Sequence, residues 1–414
     1  MRTGLNKTIF LTLVLLLFIG CTPQEPLPKG PTNFVSGQLA KYDSNLFLAS
    51  QFFEKALLDV PKSEPILQEA FSLALMNGYY EKAVDLAYKI DEVGGINPSV
   101  SMMLALENFK NRDFEKVTYY LTRTKGAGFG TLVSPIIKAW VSGLEGYPVK
   151  ALEELEVLKE IFLFKSFGAE HAAYIMENTG NEEAAEKSYL SLLSNNKLAN
   201  TDLIFSYGTF LEKIGRKEEA LTLYNSFLKA LPLNRGLSAA IDRVKNNEIS
   251  KSVAQDPDLA ISMALLRIAN ELTRDKTNRT ALLYAQLGVF MAPKYETGLL
   301  LLANLFLSEN QPQNSLVVLD NISMDNNYSD VARVREALAY NALGELDGAI
   351  FVLKDYLKIS PGNNFVRSSL GDILRSQERF EEAIKEYDIA LKNVSDNTTT
   401  DWFLYFVRGI CFEK

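Results

Sequence analysis

The chain is poor in the side chains that carry most catalysis. Among 414 residues there are one His, two Cys and two Trp. So few His and Cys exclude zinc ribbons and His-rich metal centres, and leave almost nothing for a His- or Cys-based catalyst. Gly (24) and Pro (14) are too scarce for a collagen-like or low-complexity chain. Positive charge is also in deficit. Lys and Arg number 43 against 51 Asp and Glu, giving a net charge of −8. No Lys/Arg block stands out, so nucleic acid is not an expected partner. The motifs G-x-G-x-x-G after a strand, the P-loop, G-x-S-x-G and H-E-x-x-H are all missing. What is present is 47% apolar residues, ample material for a core.

One long apolar run occurs, from Ile9 to Ile19 behind Arg2 and Lys7. Eleven residues of helix reach only about 16 Å, too short for a roughly 30 Å hydrocarbon core, so the run reads as a secretory signal over residues 1–20. Phe18-Ile-Gly-Cys21 resembles the lipobox of bacterial lipoproteins. That resemblance implies that Cys21 is acylated and becomes the first mature residue, and Thr22 in place of Asp implies the outer membrane, periplasmic face. Acyl chains bind membranes by about 0.8 kcal/mol per buried CH₂. The Pro-rich residues 21–31 read as an extended tether.

The remainder repeats itself. A small residue followed twelve later by Ala recurs at Gly37/Ala49, Phe71/Ala83, Ala105/Val117, Ala139/Ala151, Ala173/Ala185, Gly208/Ala220, Ala269/Ala281, Ala303/Ser315, Ala337/Ala349 and Gly371/Ala383. Seven of the nine steps between first members are 34 residues, one is 35 and one is 61. Phe53, Tyr189, Tyr224 and Tyr387 follow four after the second member, and Pro61, Pro232, Pro293 and Pro361 twelve after it. Each period holds two apolar-periodic helical segments joined by turn residues such as Met76-Asn-Gly78. Phe71, Val117 and Ser315 depart from the small-residue pattern.

This register resembles the tetratricopeptide repeat, W-x2-L-G-x2-Y…A-x3-F…P at period 34. The resemblance covers roughly residues 30–392 and implies an all-α fold, a right-handed α–α superhelix of about ten repeats in two arrays. Residues 32–235 form the N-terminal TPR array of six repeats, 236–256 a degenerate repeat or break, and 257–395 the C-terminal array of four. Residues 396–414 read as the first helix of an incomplete repeat, so the chain is expected to be truncated at its C-terminus. The order Trp402…Tyr405-Phe-Val-Arg-Gly409-Ile is similar to a unit of longer tetratricopeptide lipoproteins of alphaproteobacteria.

The resemblance also implies a concave groove, lined by first-helix residues three before, and one and four after, the small residue. These are Met102, Leu106 and Phe109, then Ile136 and Trp140, then Glu170, Tyr174 and Glu177, then Phe205 and Glu212. An apolar patch thus runs into an acidic-aromatic one, suited to a peptide carrying apolar anchors and a basic residue. Asn270 and Asn304 lie one period apart and are placed to bond a peptide backbone. Trp140 is the expected hot spot. His171 and Cys411 read as packed structural residues, and Glu/Lys clusters at second-helix starts read as solvated caps. The expected protein is a non-catalytic scaffold or adaptor lipoprotein of the bacterial envelope, with no cofactor, no metal and no nucleic acid. It is expected to bind a protein or peptide in the periplasm, in envelope assembly. The alternative is the regulatory or targeting part of an enzyme or secretion complex whose catalytic part lies elsewhere.

Overall fold

The computed structural model describes residues 29–43, 45–124, 128–161, 165–194, 201–231, 234–248, 250–274, 278–324, 327–392 and 401–413. The signal-like segment and Cys21 lie outside the described residues. All regular structure among the described residues is helical, with no strand. The first helix begins at Lys29, so residues 29–31 belong to it rather than to an extended tether.

The chain divides into two compact units, one running to Leu75 with Tyr79–Ile96, the other comprising Met76–Gly78 and everything from Asn97. The first unit holds α1 (Lys29–Tyr42), α2 (Leu46–Asp59), α3 (Glu64–Met76) and α4 (Tyr80–Glu92). Here α1 packs on α2, with the Phe34 and Phe53 rings edge to face at 5.7 Å. Gln38 and Lys41 of α1 both bond the Glu69 carboxylate of α3, at 3.0 and 2.6 Å.

The second unit opens with α5 (Pro98–Lys110), α6 (Phe114–Leu121), the short α7 (Gly128–Leu132), α8 (Ser134–Leu144) and α9 (Pro148–Leu155). It continues through α10 (Lys165–Asn178), α11 (Glu182–Ser194), α12 (Thr201–Lys213), α13 (Lys217–Ala230) and a lone α14 (Arg235–Lys245). A 3₁₀ turn, Val253–Gln255, leads into α15 (Pro257–Arg274), α16 (Asn278–Met291), α17 (Glu296–Ser308) and α18 (Pro312–Leu319). The unit ends with α19 (Ser329–Ala342), α20 (Leu346–Ile359), α21 (Asn364–Ser376), α22 (Phe380–Lys392) and α23 (Asp401–Phe412). From α15 onward each first helix packs on its own second helix, and each second helix packs on the next pair.

The local chemistry explains the hairpins. Asn45, Asn97, Asp113, Asn181, Asn234, Asp256 and Asn363 each accept from the backbone N–H three residues on, closing a helix start. Seven residues after the small register residue the backbone turns left-handed, at Gly78, Gly146, Gly180, Gly215 and Gly344. Arg112, Asn310 and Glu378 adopt the same turn with positive φ despite their side chains.

Helix contact is closest at the register itself. All ten second members, from Ala49 to Ala383 and including Val117 and Ser315, are 0% exposed. A Cβ at Gly37 or Gly371 would lie 2.9 or 2.6 Å from the ring of Phe53 or Tyr387, and at Gly208 it would overlap Tyr224. Ser315 is the weak point, since its buried hydroxyl has no hydrogen-bond partner. A buried hydroxyl left unpaired costs about 1–3 kcal/mol. Ser315→Ala, which restores the residue found at most of these positions, is therefore expected to raise unfolding free energy by about 1 kcal/mol in urea titrations. A loss of stability would show the hydroxyl to be satisfied.

Candidate functional site

The first-helix faces of α5, α8, α10 and α12 carry the residues that the register assigns to a groove. They are not open. Helices α15 and α16 of the same unit lie against them: α15 meets α8, α16 meets α5, and the 3₁₀ turn meets α10. Met102, Leu106, Phe109, Ile136, Trp140, Glu170, Tyr174 and Glu177 are all buried. Phe205 and Glu212 are partly covered. The expectation that these ten residues present themselves to a partner is corrected accordingly, because the chain's own helices occupy the space.

The seat of α15 has a polar centre. The Arg267 guanidinium donates two bonds to the Glu170 carboxylate, at 2.9 and 2.7 Å. It also lies 3.5 Å from Asp202 and over the Phe167 ring at 4.5 Å. Burial works against the charge of Arg267, but the Glu170 carboxylate overrides it and holds the guanidinium pKa above its ordinary value. Beside this pair the Trp140 indole N–H donates to His171 Nδ1 at 3.0 Å. An indole can only donate, so His171 carries its own proton on Nε2. Burial first, and Arg267 second, push the His171 pKa down to about 3, and the ring stays neutral.

The flanks are knitted in the same way. Arg112 forms a two-pronged pair with Asp258 at the start of α15. Lys110 donates to the Phe290 carbonyl oxygen at 2.9 Å and sits 4.2 Å from the centre of that ring. Asn178 donates to the Ala254 carbonyl oxygen at 2.8 Å. Further along, the acidic groove residues meet tyrosines of their own hairpins. Tyr189 donates to Glu177 at 2.9 Å, and Tyr224 donates to Glu212 at 2.7 Å. Glu212 also receives Arg243 at 2.6 Å. Burial, and then the neighbouring Glu177, raise the Tyr189 pKa well above its usual value.

The same register behaves differently in the later pairs. One residue after the small position, Leu106, Trp140 and Tyr174 are buried, whereas Asn270, Asn304 and Leu338 are exposed. Beneath them Leu266, Leu300 and Val334 form a buried apolar floor. Asn270 stands at the rim of a cavity of about 260 Å³, lined also by Asp202, Arg267, Tyr295, Thr297 and Leu301. Asn270 and Asn304 are thus the expected site residues that remain accessible. Among the described residues no three His, Cys, Asp or Glu are grouped to hold a metal ion. Nor is any described helix long and apolar enough to cross a membrane.

Composition alone carried one signal of the occupied groove. In α15 the residues Ala260 to Leu266 are buried without a break and apolar but for Ser262, the mark of a helix segment covered on several sides, while Asn270 one turn on is exposed.

No family model matches the chain, and no curated protein matches it. Several solved structures are similar. Naa15/Naa10 bound to HypK-THB is 16% identical with a TM-score of 0.33; the match covers 93% of this chain, which spans 60% of that one. A thermophilic TPR protein of Thermus thermophilus is 21% identical, TM-score 0.33, over 50% of this chain and 96% of that one. A tetratricopeptide repeat protein of Parabacteroides merdae is 15% identical, TM-score 0.32, over 68% and 99%.

Two outcomes follow from the buried centre. Trp140 is 0% exposed, so Trp140→Ala leaves a cavity and an unpaired His171. It is expected to lower stability by about 3–5 kcal/mol, read by urea unfolding; a near-native midpoint would refute the packing role. The His171 pKa is lowered in the fold from 6.5 to about 3. The unfolded chain therefore binds a proton that the native state refuses. Stability should fall as pH drops below about 6.5, at up to roughly 1.4 kcal/mol per pH unit towards the folded value. His171→Gln should flatten that slope between pH 6.5 and 5, and an unchanged slope would assign it to other groups.

Proposed function

We propose that the chain is a non-catalytic scaffold that binds a protein or peptide partner along the open first-helix faces of α15, α17 and α19. The observation that carries this reading is the ladder Asn270, Asn304 and Leu338, exposed at one-period spacing above a buried apolar floor. An extended peptide laid across it has amide acceptors and donors for its backbone at two successive steps. The cavity beside Asn270 offers room for one apolar side chain over Leu266 and Leu301. The ionisable groups nearby support binding rather than chemistry: Arg267 is tied to Glu170, and His171 is neutral and tied to Trp140.

The reading includes an address. Lipidation at Cys21 would hold the scaffold on the periplasmic face of the outer membrane of a bacterial envelope, within reach of envelope-assembly partners; the lipobox-like Phe18-Ile-Gly-Cys21 supports it.

Crosslinked capture from membranes tests both parts. Cys21→Ala is expected to release the protein from the membrane fraction or leave it unprocessed, and unchanged size and fractionation would sink the anchor. Asn270→Ala with Asn304→Ala removes two hydrogen-bonding groups worth about 0.5–1.5 kcal/mol each. The double variant should keep native stability yet weaken capture of the crosslinked partner by about 1–3 kcal/mol. Capture equal to wild type would move the partner off this face.

A further inference from the structure

The later pairs hold one cation without a counter-charge. Among the half-buried arginines from α19 onward, Arg333 meets Glu336 at 2.6 Å, Arg367 meets Glu386 at 2.8 Å, Arg379 meets Glu382 at 2.7 Å and Arg408 meets Asp388 at 2.7 Å. Arg375 lies 3.5 Å from Asp372. Arg335 of α19 is half-buried too, yet its buried Nε has no acceptor. Burial alone acts on its charge and holds the guanidinium pKa below its ordinary value; among the described residues no carboxylate raises it. Its neighbour Glu336 is taken by Arg333, and adjacent side chains on a helix do not face each other. A guanidinium partly withdrawn from water without an anion is unfavourable in the free chain, and an arriving carboxylate relieves it.

The register places this cation. Arg335 stands two residues before the small position Ala337, as Arg267 stands before Ala269 and Leu301 before Ala303. Arg267 and Leu301 both line the cavity whose rim carries Asn270. That cavity lies between α15 and α17, which touch, and α17 touches α19 in turn. One step on, Arg335 therefore takes beside Asn304 the place that Leu301 takes beside Asn270. Leu338, one turn after Arg335, is exposed, so this step is open to solvent.

We propose that Arg335 is the subsite for a carboxylate side chain of the bound peptide, one helix step from the cavity that receives its apolar side chain. First helices that touch lie about 8–10 Å apart. Three residues of a polyproline-II peptide span about 9 Å and return to the same face. The recognised sequence thus has an apolar residue and a Glu or Asp three apart. This rests on the reading of the later pairs as a peptide-binding face, and its test separates the two.

The probes are end-blocked peptides holding Leu-Pro-Pro-Glu or Glu-Pro-Pro-Leu, each with a Gln and a Lys analogue at the Glu, titrated calorimetrically into the full chain. In one order the Glu peptide should bind about tenfold more tightly than its Gln analogue, and Arg335→Gln should abolish that difference. Arg335→Glu should reverse the preference, so that the Lys analogue binds most tightly. Arg335→Gln should keep or raise the urea midpoint, because no partner is lost. The Asn270→Ala and Asn304→Ala double variant should weaken the Glu and Gln peptides alike and keep their ratio. If it binds every peptide like wild type while the Arg335 effects persist, the asparagines leave the contact and the carboxylate subsite stands. Equal binding of Glu and Gln peptides in both orders, a preference that survives Arg335→Gln, a marked fall in its midpoint, or no saturable binding up to millimolar peptide would overturn the proposal. Tighter binding of an unblocked peptide ending in Leu-Pro-Pro would also overturn it, by making a chain end the occupant.

Discussion

The second unit is organised around one buried ion pair, Arg267 with Glu170. Glu170 is 2% and Arg267 20% exposed at the side chain, and the two residues are 97 apart in sequence. A carboxylate this deep is tolerated only with a partner of good geometry, and the two parallel N–H···O bonds supply it. The pair fixes where α15 lies, because an arginine fork admits little sliding. The position of α15 in turn covers Trp140 and Tyr174, keeps His171 neutral, and brings Asp258 to Arg112 and Ala254 to Asn178. Removing Arg267 would take from the buried Glu170 carboxylate its forked partner.

The same packing divides one register into two environments. The position after the small residue is core at Leu106, Trp140 and Tyr174 and surface at Asn270, Asn304 and Leu338. Residue type follows environment in part: the covered positions are apolar or aromatic, whereas two of the three uncovered ones are asparagines and the third is Leu338. The lone α14 and the 3₁₀ turn before α15 occupy the long step between Gly208 and Ala269. Without that extra length α15 would be the direct continuation of the pairs before it, stacked beside α12 like any other first helix.

Much of this was legible in the amino-acid order, and the reason is local. A 34-residue period, a small residue facing Ala twelve later, and a ring four after that specify the contact within one hairpin, where neighbours in space are neighbours in sequence. Gly208 against Tyr224 and Gly371 against Tyr387 needed nothing more. The groove residues were identified by position but not by state. The resemblance says which residues of α8 share the expected groove face and is silent on what fills it, because the filling helix lies more than a hundred residues away. The chemistry of the occupant was nonetheless written on the groove. Apolar Leu106 and Trp140 beside acidic Glu170 call for a helix with apolar anchors and one basic residue. Such a helix exists in the chain itself: α15 carries the buried apolar residues Ala260, Ile261 and Leu265 and the basic Arg267.

That self-occupancy decides between the two faces as binding surfaces. A peptide entering the covered face must first displace α15, breaking a buried ion pair whose loss typically costs about 3–5 kcal/mol. It must also expose apolar residues from Ala260 to Leu266 to water, at about 25 cal/mol per Å². A peptide of micromolar intrinsic affinity has about 8 kcal/mol in all. The ion pair alone would cancel up to half of that and more, and the apolar exposure would consume much of the remainder. The Asn270–Asn304 face imposes no such displacement, since its asparagines are already in water and its floor is already packed. A ligand there keeps nearly its whole intrinsic affinity, which is the physical reason to look for the partner on the later pairs.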